Sequence, residues 1–232
     1  MLHATTTRLG QGADNLVARP YKPGDSMRRI HWRATAHRDT LMVRQEEQES
    51  TPEATVVLDC APTRWGADAS TRPGADPLFE QAVTACVSAA NALARDGYSV
   101  QVIDADGAPL SEPVPGGDHA AVAVLIGRFA TTVAHGTADV ATLARMWSAA
   151  NTGPLVVITG VLRPADADAL AALPGHSAHP VLLTAAPVDD ALERAVAAGW
   201  YAASIAPGTD LREAWARVAH ADAIAGVAHG FD

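Results

Sequence analysis

Residues 19–38, RPYKPGDSMRRIHWRATAHR, hold more potential chemistry than any comparable stretch of the chain. The guanidiniums of Arg28, Arg29, Arg33 and Arg38 are planar donor forks that match a carboxylate or phosphate with two parallel hydrogen bonds. Lys22-Pro23-Gly24-Asp25 puts proline and glycine at the two central positions of a type II turn, where their backbone preferences fit. Asp25 or Ser26 is then placed to cap a helix. Around that helix Arg28, Arg29, His31, Trp32, Arg33, His37 and Arg38 would be distributed, with Ile30 and Ala34 spaced to pack inward. Two uses compete for the arginines: pairing with acids of their own fold, or recognising an external anionic partner. Trp32 is expected to anchor packing, because no second aromatic is spaced to stack a neighbouring base, which disfavours nucleic acid as the partner.

Elsewhere the reactive residues are scattered. Cys60 follows a strand-like run but has no histidine or aspartate visibly placed to activate it, and Cys86 falls on the apolar face of a helical pattern; both read as structural thiols. His176 and His179 form H-x-x-H in a Pro/Gly loop, two ligands without a third, and His31 and His37 are six apart, off one helical face. There is no G-x-x-x-x-G-K-[ST] loop and no G-x-S-x-G elbow, and the G-x-G at Gly10 and Gly12 precedes no strand-turn-helix unit. The catalytic residue expectation is therefore none.

The elements that must position these residues follow from periodicity. ATVVLD (54–59) reads as a strand buried on both faces, and Asp76-Pro77 as the N-cap and first turn of a helix running to about Asp96, stopped by Gly97. YSVQVID (98–104) is a strand, with a DG turn into a short neighbour. Helices are predicted over 119–135, 138–150, 164–173, 188–198 and beyond PGTD, where Leu211, Trp215 and Val218 share a face. LVVIT (155–159), HPVLLT (179–184) and WYAASI (200–205) are predicted strands. This alternation implies an α/β fold with a mainly parallel central sheet, helices on both faces and right-handed crossovers. LMVRQEE reads as a further strand leading out of a basic N-terminal arm.

Composition is consistent with that division. The 232 residues are 48% apolar and 19% charged, enough for a substantial core. The net charge is −9, yet residues 1–44 carry eight basic residues against three acids, leaving a strongly acidic remainder. Only one of the 17 basic residues is a lysine, Lys22, a skew that weakens arginine content as a functional signal. No run approaches the roughly eighteen apolar residues of a bilayer span, the start MLHATTTRLG is no signal peptide, and two cysteines give no disulfide framework. The expected domains are a 1–50 arm and a 51–232 α/β body.

The stretch RPYKPGDSMRRIHWRATAHRDTLMVRQEEQE resembles the signature of the bacterial domain of unknown function 58 family: an R-x-Y-x-P-G-D turn, an R-x-I-x-W-R segment and an L-x-V-R-x-x-E-x-E strand. Arg19, Tyr21, Pro23, Gly24, Asp25, Arg29, Ile30, Trp32, Arg33, Leu41, Val43 and Arg44 match it. The resemblance implies a von Willebrand factor A-like, Rossmann-type three-layer body. It also implies membrane helices and a β-rich region ahead of the signature in the full protein. This chain is then expected to be a soluble C-terminal portion at the cytoplasmic face of the bacterial inner membrane. Domains of that type can bind Mg²⁺ through D-x-S-x-S after the first strand, oxygen ligands suiting a hard cation. The corresponding loop, Asp59-Cys60-Ala61-Pro62-Thr63, keeps Asp59 and Thr63 but has no donor at Ala61, and the loop after LVVIT offers Thr159 and Gly160 without an aspartate. No cofactor is expected, with Mg²⁺ on Asp59 and Thr63 as the alternative.

The functional expectation is a noncatalytic interaction or scaffold domain using Asp25, Arg28, Arg29, Trp32 and Arg33, with Tyr21, Pro23 and Gly24 shaping the surface. The resemblance implies a MoxR-type AAA+ ATPase or a transglutaminase-like membrane protein as partner. Two alternatives stand beside it: an anion-binding module for nucleic acid or acidic lipid, and a metal-dependent enzyme built on the degenerate loop.

Overall fold

The computed structural model describes residues 16–23, 25–38, 40–46, 51–137, 140–146, 153–206 and 208–219. In chain order the elements are β1 (Leu16–Pro20), α1 (Trp32–Arg38), β2 (Met42–Glu46), β3 (Glu53–Leu58), α2 (Pro77–Arg95), β4 (Ser99–Ile103), α3 (His119–Phe129), α4 (Val140–Met146), β5 (Pro154–Leu162), α5 (Pro164–Leu170), β6 (His179–Pro187), α6 (Ala191–Ala197), β7 (Tyr201–Ser204) and α7 (Leu211–Ala219). The described residues fall into two compact units, one within Thr5–Ser50 and one within Thr51–Asp232.

The larger unit is built on a five-stranded sheet in the order β4-β3-β5-β6-β7, with every neighbouring pair parallel. Near-continuous apolar strands fit burial on both faces. Because side chains alternate across a strand, Val56, Leu58, Val156, Ile158, Val181 and Leu183 enter one core with Phe79, Cys86 and Leu93 of α2, Leu125 of α3 and Val218 of α7. Val57, Leu155, Val157 and Leu182 enter the other with Leu143 of α4, Leu170 of α5 and Ala195 of α6. The result is the expected three-layer α/β sandwich. Trp200 fills the second core, its indole N–H donating to the Leu170 carbonyl at 3.2 Å.

Local signals set most element ends. Asp76 accepts from the Leu78 and Phe79 amides and Pro77 occupies the first turn of α2. Gly97 and Gly199 take φ of 95° and 100° behind α2 and α6, the left-handed conformation that ends a helix. The chain after β4 turns at Asp104–Gly107 and bridges back to β4 through Ile103↔Pro109 and Val100↔Val114.

Several boundaries differ from expectation. α3 ends at Phe129 instead of near His135, because Thr131 and Thr132 turn their hydroxyls onto the Arg128 carbonyl and open the chain into a loop. β5 continues through Leu162, so Thr159 and Gly160 belong to a strand and not to the loop after it. Of the helix predicted over 138–150, residues 138–139 and 147–150 lie outside the described residues.

In the smaller unit β1 and β2 form an antiparallel pair with Arg19 opposite Val43. β1 had no counterpart in the sequence reading. Ile30 and Val43 are joined by an antiparallel bridge, and Ile30, Met42 and Val43 form its buried apolar residues. The expected helix start at Ser26 is corrected: Met27–Arg29 is a single 3₁₀ turn, Ile30 is extended, and α1 begins at Trp32. The interruption brings the His31 amide to the Met42 carbonyl at 2.8 Å, pairing the segment with β2.

Candidate functional site

In an open parallel sheet, ligands gather beyond the carboxyl ends of the strands where the chain reverses its direction of winding. Here the chain passes from β3 outward to β4 and returns to β5 on the other side, so this point lies between β3 and β5. Asp59 and Thr159 stand at it, both fully buried. The Thr159 hydroxyl donates to Asp59 Oδ2 at 2.9 Å and the Ala61 amide donates to Oδ1 at 3.1 Å. Thr63, the other candidate from the degenerate loop, is exposed on the 3₁₀ turn Pro62–Arg64, and the hydroxyl that reaches Asp59 is that of Thr159.

A residue that sequence reasoning missed dominates this place. Arg64 is 3% exposed and its Nε stands 3.7 Å from Asp59 Oδ2. Its two terminal nitrogens clasp the Asp166 carboxylate at 2.5 and 2.9 Å, and Nη1 also donates to the Val161 carbonyl. A fixed guanidinium thus supplies positive charge beside the Asp59 carboxylate. Gly160 makes this possible: a Cβ there would collide with the Arg64 carbonyl and the Trp65 ring. Trp65 fills the remaining space, donating from Nε1 to the Asp59 carbonyl at 2.9 Å and meeting Phe79 edge-on at 5.2 Å.

The electrostatics of the two carboxylates diverge. Burial pushes the Asp59 carboxyl up to about 6, against the opposing pull of the Ala61 amide, the Thr159 hydroxyl and Arg64. Asp166 also suffers from burial, but the Arg64 guanidinium and the Arg163 amide hold it below the ordinary carboxylate range. Cys60 is fully buried next door. Burial first, and then the neighbouring Asp104 carboxylate, raise its thiol above the ordinary cysteine value, which favours the protonated form. Cys86 is likewise buried in the core.

The remaining histidine motif comes apart. His179 is buried at the start of β6, stacked on Tyr201 at 4.5 Å with Nε2 3.1 Å from the Val218 carbonyl, whereas His176 is exposed. A cavity of about 300 Å³ lies on the flank of the sheet between α2 and α7, bordered by Arg95, Arg212 and Trp215. Among the described residues its lining includes no carboxylate and no histidine.

In the smaller unit the Lys22–Asp25 turn is closed by the Asp25 amide donating to the Lys22 carbonyl at 3.0 Å; Gly24 lies outside the described residues. Asp25 caps no helix. Its carboxylate takes both terminal nitrogens of Arg19 at 2.7 Å and the Lys22 amide at 2.8 Å, and the Arg19 guanidinium lowers its pKa to about 2. Tyr21 is half-buried, its amide bonded to the Leu41 carbonyl, and Pro23 is exposed. Signature residues Arg19, Tyr21 and Asp25 therefore build the turn.

Beyond the turn the surface opens. The expectation that Trp32 anchors packing is overturned: it is 69% exposed, and Met27 is 63% exposed. The indole leaves from the first residue of α1. Arg28 and Arg33 are exposed, and within this unit neither forms an ion pair among the described residues. The side chain of Arg29 lies outside the described residues.

Among the described residues no helix is long and apolar enough to cross a membrane. No curated protein matches the sequence. The family model described as protein of unknown function DUF58 matches residues 17–221, a span that takes in both the Arg19–Asp25 turn and the closed switch point. The chain belongs to the DUF58 family.

Proposed function

We propose that the chain is a noncatalytic protein-interaction domain of a membrane-anchored bacterial protein, that its contact surface is the Met27–Arg33 segment, and that its partner is a MoxR-type AAA+ ATPase. The observation that carries this reading is the exposure of Met27 beside Arg28 and of Trp32 beside Arg33, on a segment that follows the turn closed by the Arg19–Asp25 pair. Tryptophan and arginine dominate the binding energy of protein interfaces, and large apolar side chains set beside charge suit a pocket rimmed by carboxylates. The von Willebrand A-like character of the larger unit belongs to the same reading, and the partner is drawn from the resemblance of the Arg19–Arg44 signature to the family. The closed switch point supports it from the other side, since the crevice where such a sheet would hold a small substrate is filled by Arg64 and Trp65.

The test is a titration of the purified chain with a purified MoxR-type ATPase from the same organism, comparing native protein with Arg28→Ala/Trp32→Ala/Arg33→Ala. The expected result is a loss of about 100-fold or more in affinity, the size of a hot-spot cluster, with the thermal midpoint unchanged because all three side chains are exposed. Equal binding by both proteins, or none by either, overturns the reading. Retention of duplex DNA or anionic vesicles near physiological salt, lost in the same variant, would replace it with the anion-binding alternative.

A further inference from the structure

The geometry points to a zinc site formed by Cys60, Asp104 and His135, one strand away from the closed switch point. One ligand atom from each of the three lies within 4.8 Å of the others. They come from three elements: Cys60 from the end of β3, Asp104 from the end of β4, and His135 from the loop after α3. The loop is held against the strand end, with the His135 amide donating to the Cys60 carbonyl at 2.7 Å and the Ala134 amide to the Ala69 carbonyl at 2.9 Å.

The hydrogen bonds around the cluster leave the ligating atoms aimed at one another. Asp104 Oδ1 is occupied by the Cys60 amide at 3.1 Å and the Ala105 amide at 2.7 Å, which turns Oδ2 toward His135. His135 Nδ1 stands 2.9 Å from the Val133 carbonyl; since a carbonyl only accepts, Nδ1 carries the proton, and in the neutral ring Nε2 presents a lone pair. A carbonyl on the far nitrogen is the arrangement that orients metal-ligating histidines. Nε2 then faces Asp104 Oδ2 at 3.7 Å, two acceptors across a gap that suits a cation. Tetrahedral zinc with its usual bonds to nitrogen and oxygen would set those atoms about 3.4 Å apart. One sulfur, one nitrogen and one oxygen donor suit a borderline-soft ion better than Mg²⁺.

The site has a buried floor and an open mouth. Cys60 is fully buried and the Asp104 side chain is 6% exposed, while the His135 ring is half exposed. Three protein ligands leave the fourth position of a tetrahedral ion for water or an outside donor. Binding replaces the Cys60 thiol proton with the metal, and that proton leaves to solvent. Gly136, at φ 77°, lets the loop pass the carboxylate with its Cα side facing Asp104.

The metal-stripped full chain, titrated with Co²⁺ and then Zn²⁺, tests this directly. The expected result is one equivalent of Co²⁺ giving a cobalt–thiolate charge-transfer band, which Zn²⁺ abolishes by displacement. Cys60→Ser should remove the band. Because a buried substitution can disturb folding, the half-exposed His135→Ala is the second variant, with an expected loss in Zn²⁺ affinity of at least about tenfold. His176→Ala, at an exposed histidine elsewhere, should bind as the native chain does. The absence of a thiolate band in the native chain overturns the assignment, as does native-like zinc affinity in His135→Ala.

Discussion

Arg64→Met is expected to lower the unfolding free energy of the chain by about 3–5 kcal/mol, the cost of breaking a buried ion pair by removing one partner. The methionine would fill much of the space of the arginine stem but leave two carboxylates without their guanidinium. Asp166 would lose both short bonds, and Asp59, fully buried, would lose its nearest positive charge. The Val161 carbonyl would lose a donor as well. For a chain of this size the midpoint should fall by roughly 10 °C or more. Adding Asp166→Leu should recover part of the loss, because replacing both members of a buried pair with apolar groups is far less costly than orphaning one. Urea or thermal unfolding of the three proteins checks this. A single variant as stable as the native chain would show that Arg64 does not neutralise this edge.

The second large effect is one of pH. In the folded chain burial raises the Asp59 carboxyl from its ordinary 3.8 to about 6, so the folded state keeps a proton that the unfolded state has released. Stability contributed by this group therefore falls as pH rises from about 4 to about 6, and above that the penalty is fully present. A rise of that size corresponds to about 3 kcal/mol. Asp166 runs the opposite way: its lowered carboxyl stabilises above the ordinary value and loses that contribution as pH falls. Comparing the native chain with Asp59→Asn separates the two, since Asp166 titrates in both. The variant should gain on the native protein by about 2 kcal/mol between pH 4.5 and pH 7.5, measured by urea unfolding at each pH. A difference that does not change with pH would mean that Asp59 is ionised at little cost.

The parallel body was legible because its strands are short apolar runs between capped helices, and each feature has one dominant physical cause. ATVVLD, short and rich in β-branched residues, fits a doubly buried strand, and Asp76-Pro77 supplies the cap and first turn of a helix. The arm was less legible. Its turn is written in Pro23 and Gly24, but Asp25 has two possible roles of similar strength, and the bidentate pair with Arg19 displaced the helix cap. Trp32 was misread for a different reason: the lack of a second aromatic argues against base stacking, but it does not decide between a buried and an exposed indole. At the sheet edge, Asp59 was visible because it ends a strand, and Asp104 ends the next strand in the same way, a signal available from YSVQVID. Arg64 and Asp166 stand 102 residues apart in sequence, and no local pattern joins them. His135 was hidden by its assignment to a helix that ends at Phe129.

The domain's central division of labour, a closed sheet edge and an open Met27–Arg33 surface, is most directly tested by amide hydrogen exchange of the chain with and without a saturating MoxR-type ATPase. Protection should appear across residues 27–38, while residues 59–65 and 159–163 exchange as they do in the free chain. Protection confined to the sheet edge, with the 27–38 segment unchanged, would contradict it.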